Sequence, residues 1–378
     1  MLIIGILIGL IVLVLIVAVH ELGHAIVAHR NGVVVEEFGI GFPPRAWKKK
    51  LKNGVLFTLN WLPLGGFVKL QGEHDDDKKK GDYGAATFWQ KTKILLAGVV
   101  VNWLLAVVLL TALVLTSGLP KIIADQFTVP ADTTTISSPV QLGQLVADYP
   151  AEKAGLKTGD KILSFAGSDI ETTQELIDIS KEHRGETVTV EYERGDETST
   201  TKVALRDADS SVFGASLAQQ ERIKATWSAP IVGVVTTAQY TWVTFQGLGD
   251  VVYNFFSGLF GQLSVDQATR QHASEQLGVA GASVAGPVGI LGVIFPAASK
   301  AGPAEVIFLA AIISLTLAVM NVLPIPALDG GRWFVTWLYK VRKKRLTQDK
   351  EETIHGVGFM VLMLLVIVIT FADVIKFF

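Results

Sequence analysis

Cysteine is absent from the 378 residues, which excludes disulfides, thiolate metal sites and a thiol nucleophile. Any metal must be held by His, Asp or Glu. Charge is scarce as well. Only 18% of the residues are charged, against about a quarter in a soluble domain. The 33 Lys and Arg and 35 Asp and Glu leave a net of −2, so no basic field for nucleic acid exists. Half the letters are hydrophobic, far too many for a disordered chain. These absences leave a membrane protein with a polar portion.

Four stretches are apolar and long enough to cross ~30 Å of hydrocarbon, which takes roughly 20 helical residues. They are residues 1–29, 94–117, the first part of 304–331 (which goes on past the span into a proline-rich motif) and 355–375. The first is not expected to be a cleaved leader, because its run is too long and no Lys or Arg precedes it. Residues 30–93 hold 12 Lys/Arg against 7 Asp/Glu, and 332–352 hold 7 against 3. Residues 118–304 hold 13 against 21. Lys and Arg stay on the cytoplasmic side. The two basic loops are therefore expected on the cytoplasmic side, with the middle segment and both termini outside.

Within 30–93, Val33 to Ile40 and Val55 to Trp61 are β-prone, and Asn53-Gly54 is a strong hairpin signal. Gly65-Gly66 leads into Phe67-Val68-Lys69-Leu70. A small antiparallel sheet against the membrane is expected, and an exposed edge at Gly65, Gly66, Phe67 and Val68 is placed to pair with an extended peptide. The same sheet also suits a simple plug. Gly72 to Gly84, with Asp75-Asp-Asp-Lys-Lys-Lys80, reads as a solvated loop.

In the middle segment, residues 137–205 alternate strand and turn signals with two helical patches. The stretch Pro150-Ala-Glu-Lys-Ala-Gly-Leu-Lys-Thr-Gly-Asp160 resembles protease-type PDZ domains. It either binds a chain end or restricts access to the membrane. Residues 225–262 carry apolar side chains at helical spacing and predict an amphipathic helix at the lipid interface or against the spans. From Gly258 to Gly286-Pro-Val-Gly289 the sequence reads as a connector.

The chemistry lies in His20-Glu-Leu-Gly-His24. Residues four apart on a helix share a face, so both imidazoles can reach one ion, and Glu21 is placed to accept a proton from water. An interhelical hydrogen-bonding role is harder to sustain, since each ionisable group inside a span costs ~2.5 kcal/mol or more without a partner. A catalytic zinc takes three protein ligands. His29, His74, His183, His272, His355 and the few acids near apolar sequence compete for the third place. Asp329, in Asn321-Val-Leu-Pro-Ile-Pro-Ala-Leu-Asp-Gly-Gly331, is bracketed by helix-breaking residues just past the third span. Depth agrees. His24 stands about 9 Å of helix before Arg30, and Asn102 about 14 Å past Lys93, in the leaflet to which Asp329 is assigned.

His-Glu-Leu-Gly-His in a first span, Gly-Gly-Phe-Val-Lys, a PDZ-like segment, Gly-Pro-Val-Gly and Asn-Val-Leu-Pro-Ile-Pro-Ala-Leu-Asp-Gly together resemble the bacterial site-2 protease family, close to regulator-of-sigma-E proteases. The resemblance runs in order along nearly the whole chain. It implies a four-span α-helical membrane protein with a small cytoplasmic membrane-associated β-sheet and an extracytoplasmic PDZ-like α+β domain. It also implies one Zn2+ on His20, His24 and Asp329, with Glu21 as base. Asn321, and Asn102 within Gly98-Val-Val-Val-Asn-Trp103, would meet the substrate backbone. The implied substrates are single-pass membrane proteins already trimmed by another protease, such as anti-sigma factors, or signal-peptide remnants. One departure stands out: residues 118–304 hold one PDZ-like segment where the sigma-E proteases carry two. A non-catalytic membrane adaptor with a structural metal is the alternative. A metal transporter would need more intramembrane acids than Glu21 and Asp329.

Overall fold

The computed structural model describes residues 2–195, 197–208 and 212–377. Met1 and Asp196, which fall in the expected spans 1–29 and 137–205, lie outside the described residues. The chain divides into two units, Met1–Leu113 with Gly233–Phe378, and Val114–Val232.

The first unit opens with α1 (Leu2–Arg30), β1 (Val35–Lys50), β2 (Leu56–Leu70) and α2 (Phe88–Leu115). Helix α1 is apolar all round, yet its buried residues Gly5, Gly9, Ile16, His20, Gly23, His24 and Ala28 form one stripe. Both histidines sit in it. In the sheet, Val35 to Ile40 pairs with Leu70 to Gly66 and also with Leu56 to Leu59, while Trp47 to Lys50 pairs with Leu59 to Leu56. The first half of β1 therefore lies between the two halves of β2, and residues 66–70 form an outer strand.

The turn at 71–84 is an ordered clasp, which corrects the expectation of a solvated loop. Tyr83 is fully buried, and Asp75 pairs with the buried Lys91 at 2.5 Å. Asp75 N–H donates to Glu351 Oε2 at 2.9 Å, Arg345 meets Asp76 at 2.5 Å, and Arg332 donates to the Glu73 carbonyl. Alternating acids and bases looked like solubility in sequence. Here Asp75 and Asp76 each find an opposite charge, on Lys91 of α2 and on Arg345 far along the chain.

The second unit contains β3 (Leu119–Pro120), β4 (Thr134–Ser137), β5 (Val140–Leu145), α3 (Pro150–Lys153), β6 (Lys161–Phe165), β7 (Ser168–Asp169), α4 (Thr173–Glu182), β8 (Thr187–Arg194), β9 (Glu197–Ala204), β10 (Ala215–Ala218) and β11 (Glu221–Lys224). Its main sheet runs β10-β5-β6-β8-β9 with β7 on β6, and β3-β11-β4 make a smaller sheet. Period-2 alternation buries Val188 and Val190 and exposes Thr187 and Thr189. A capping box between Thr172 and Glu175 starts α4. Ile162, Phe165, Leu176, Val190 and Val203 form a core, each large side chain contributing about 1.5–3 kcal/mol. Val212 and Phe213 belong to the same core, so the folded unit extends past the expected boundary at 205. Asp160, 1% exposed, accepts two hydrogen bonds of 2.7 Å from Arg194. Burial opposes its charge, but Arg194 and the Lys157 N–H hold its carboxyl below the ordinary range.

The chain continues through α5 (Ala229–Gly261), α6 (Gln267–Ala282), α7 (Pro287–Gly289), a π turn at Ile290–Ile294, α8 (Phe295–Ala301), α9 (Pro303–Val322), α10 (Asp329–Val341) and α11 (Gln348–Phe377). Helix α5 buries its threonines: Thr236 and Thr237 are fully buried and Thr241 accepts from the Trp103 indole at 3.0 Å. Trp242, Phe255 and Phe256 are exposed. This inversion suits apolar surroundings. The supposed connector after Gly258 is helical instead, because Asp266 caps α6 through the Thr269 N–H. Together Gln267–Ala282 and Pro287–Ala301, bent by 48°, are long and apolar enough to make either a broken span or a re-entrant loop. Buried Asp373 accepts the Gly286 N–H at 3.1 Å and the Gly289 N–H at 2.7 Å, and Lys376 donates to the Ala282 carbonyl at 3.1 Å. The last turn of α11 thus holds both sides of the bend.

Among the described residues, four helices are by themselves long and apolar enough to cross a membrane: α1, α2, α9 and α11.

Candidate metal centre

His20 and His24 project from the buried stripe of α1 toward α2. His24 Nδ1–H donates to the Ile94 carbonyl at 2.7 Å. A carbonyl can only accept, so the proton lies on Nδ1 and Nε2 is free to bind a cation. Room for the imidazoles comes from Gly98: a Cβ there would lie 2.4 Å from His24 Nε2 and 2.5 Å from His20 Cε1. Sequence reasoning did not single out Gly98, since nothing local marks a glycine that matters only where two helices cross.

Asp329 reaches the same point from the far end of the chain. Leu323 is extended ahead of Pro324 and ends α9, and Asp329 starts α10 after a short irregular turn. The Gly330-Gly331 pair lets α10 fold back tightly, because Cβ atoms there would strike the Val322 and Ile325 carbonyls at 2.2 and 1.9 Å. Asp329 Oδ2 lies 3.1 Å from His20 Nε2 and 3.3 Å from His24 Nε2, and the two Nε2 atoms are 3.2 Å apart. Tetrahedral bonds of 2.0–2.1 Å put ligand atoms roughly 3.3 Å apart, so this donor triangle fits zinc.

Among the described residues, His20, His24 and Asp329 are the one group of three such side chains with ligand atoms within 4.8 Å of one another. Of the other histidines, His74 faces Glu352 at 3.5 Å, His183 faces Glu186 at 2.7 Å, His272 faces Glu275 at 3.7 Å, and His355 accepts the Ala327 N–H at 3.2 Å.

Glu21 sits beside the triangle and faces the outer strand of the sheet. A Cβ on Gly66 would be 3.4 Å from Glu21 Cγ, and the Val68 N–H meets the Glu21 carboxylate. Gly65, Gly66, Phe67 and Val68 therefore run past the acid. Asn102, one helical turn after Gly98, is fully buried, and its amide oxygen and nitrogen both lack a partner. Asn321 is half-buried in the last turn of α9. A cleft of about 280 Å³ reaches the centre, lined by Glu73, His74, Asp329, Arg332, Glu352 and His355 among others.

Comparison with known proteins agrees with this chemistry. The profile described as peptidase family M50 matches residues 8–365. A zinc-metalloprotease relative in Clostridium perfringens is 30% identical over 361 residues, covering 95% of each chain. Zinc metalloprotease RasP of Geobacillus kaustophilus is 28% identical over 440 residues, again 95% of each. Regulator of sigma-W protease RasP of Bacillus subtilis is 26% identical over 443 residues with the same coverage. Among solved structures, the PDZ domain of an SdrC-like protein from Listeria monocytogenes matches 24% of this chain and 94% of its own length, at 26% identity and a TM-score of 0.20.

Proposed function

The chain belongs to peptidase family M50, and from that premise we propose that it cleaves single-pass membrane proteins within their membrane-spanning segments. It is a zinc-dependent peptidase and an integral membrane protein. The finer reading rests above all on one observation: three ligand atoms 3.1–3.3 Å apart join α1, a helix apolar enough to span, to the turn after α9.

In this reading His20, His24 and Asp329 hold the zinc. Zinc, when bound, acidifies water and polarises a peptide carbonyl. Glu21 accepts the proton of the attacking water and passes it to the leaving amine. The unpaired amide of Asn102, with Asn321, donates to the substrate backbone and stabilises the oxyanion. A substrate helix hides its carbonyls in hydrogen bonds, so it must unwind. The outer strand at Gly65 to Val68 offers the extended segment a new partner.

The basic loops 30–93 and 332–352 are assigned to the cytoplasm and the Val114–Val232 unit to the outside, where it acts as a PDZ-like filter on trimmed substrates. A relative is named for regulating sigma-W, and a membrane-bound anti-sigma factor is the substrate we assign. The test is Glu21→Gln in the purified full chain with a membrane-embedded substrate. Zinc should remain stoichiometric while cleavage is lost; undiminished cleavage rejects Glu21 as the base. A membrane adaptor would keep its cellular phenotype in that variant.

A further inference from the structure

The turn that delivers Asp329 is not self-supporting. Ala327 has φ +80°, a conformation alanine rarely holds unaided. Pro324 and Pro326 have no N–H to give. Within the turn, the Ile325 N–H reaches the Leu323 carbonyl and the Leu328 N–H reaches the Ile325 carbonyl. The Ala327 N–H instead leaves the turn and donates to His355 Nδ1 at 3.2 Å.

His355 belongs to a stripe on α11 that meets this turn twice and the helix it starts, α10, once. One turn earlier, Glu351, 3% exposed, pairs at 3.4 Å with Arg332, which follows Asp329 by three residues. One turn later, Gly358 lies so close that a Cβ there would be 2.4 Å from Pro326 Cβ. Positions 351, 355 and 358 share one helix face. Ligand-supporting contacts of this kind fix the orientation of a metal ligand and tune its hold on the ion.

We propose that His355 is a positioning residue of the metal centre: by accepting the Ala327 N–H it holds the left-handed residue two places before Asp329, and so aims the Asp329 carboxylate at His20 and His24. The inference rests on the reading of those three residues as the zinc ligands.

The test uses the zinc-loaded full chain in nanodiscs and follows zinc transfer to a chromogenic chelator, alongside the visible spectrum of the cobalt-substituted protein. His355→Leu removes the acceptor. It should release zinc about 10- to 100-fold faster, perturb the cobalt spectrum, and lower kcat with KM little changed. His355→Asn keeps an acceptor near the Nδ1 position and should recover most of the slow release. Wild-type release rates and cobalt spectrum in His355→Leu would overturn the proposal, as would His355→Asn behaving like His355→Leu. If the unaltered chain binds no zinc, the ligand assignment fails and takes this inference with it. If the unaltered chain binds zinc and His355→Leu holds it equally well, only this inference fails.

Discussion

Replacing Gly98 by alanine adds a single methyl group to α2 and should empty the metal centre. The added Cβ would lie 2.4 Å from His24 Nε2 and 2.7 Å from His20 Nδ1, where ordinary contact begins near 3.4 Å. An imidazole must retreat by about 1 Å, yet ligand bonds tolerate only about 0.2 Å of misplacement. His24 cannot yield by rotation without losing the 2.7 Å bond to Ile94. Zinc affinity should therefore fall at least 10- to 100-fold, with cleavage falling alongside. Helix propensity alone predicts the opposite sign, a gain of up to about 1 kcal/mol for glycine to alanine in a helix interior. Gly278→Ala in α6, where no atom lies within 4 Å of the new Cβ, serves as the control and should leave zinc untouched. The assay is metal content by mass spectrometry after dialysis, with cleavage measured on the same samples. Retention of one zinc per Gly98→Ala chain, with unchanged cleavage, refutes the packing logic.

Val68→Pro removes the N–H that meets the Glu21 carboxylate and should slow cleavage about 5- to 10-fold, the worth of one hydrogen bond, with zinc retained; equal cleavage counts against this strand's supporting the base. Asp160→Ala strips Arg194 of its partner and should destabilise the Val114–Val232 unit by about 1–3 kcal/mol, read as lost hydrogen-exchange protection in β5, β6 and β8. Acid should act in the same direction. Hydrogen bonds from Ser228 and then Thr226 hold the Asp132 carboxyl at about 2, and Asp160 is also depressed. Folded values below the unfolded pKa near ~3.9 mean that this stability is complete above pH ~4 and drains away as pH falls toward 2. Protection that rises on acidification would contradict this. Asp373→Ala leaves the Gly286 and Gly289 N–H groups unpaired and should cost about 1–3 kcal/mol for each, seen as faster thermal inactivation.

What could be read from sequence followed from short periodicities. The four-residue spacing of His20 and His24 is a local property of any helix, and the prolines around Asp329 announce a break wherever they fall. The 137–205 strands carried alternation and turns. Other features depended on distant partners. Asp75, Lys91, Arg332 and Glu351 are scattered along the chain, and only the fold converts their charges from solubilising groups into a buried clasp. Gly98 and His355 act across helix crossings that have no sequence period. The threonine face of α5 was legible as polar but not as inward-facing, because the wheel does not say on which side the hydrocarbon lies.

The two-ended attachment of α11 has a mechanical consequence. Glu351 and Asp373 are 22 residues apart, a rigid lever of about 33 Å. A tilt of only 1° about one end sweeps the other through roughly 0.6 Å, already comparable to the ~0.5 Å tolerance of a working catalytic constellation. Membrane helices tilt when bilayer thickness changes. Turnover should therefore vary with acyl-chain length in defined lipids, and freeing the Asp373 end should change how steeply it does so.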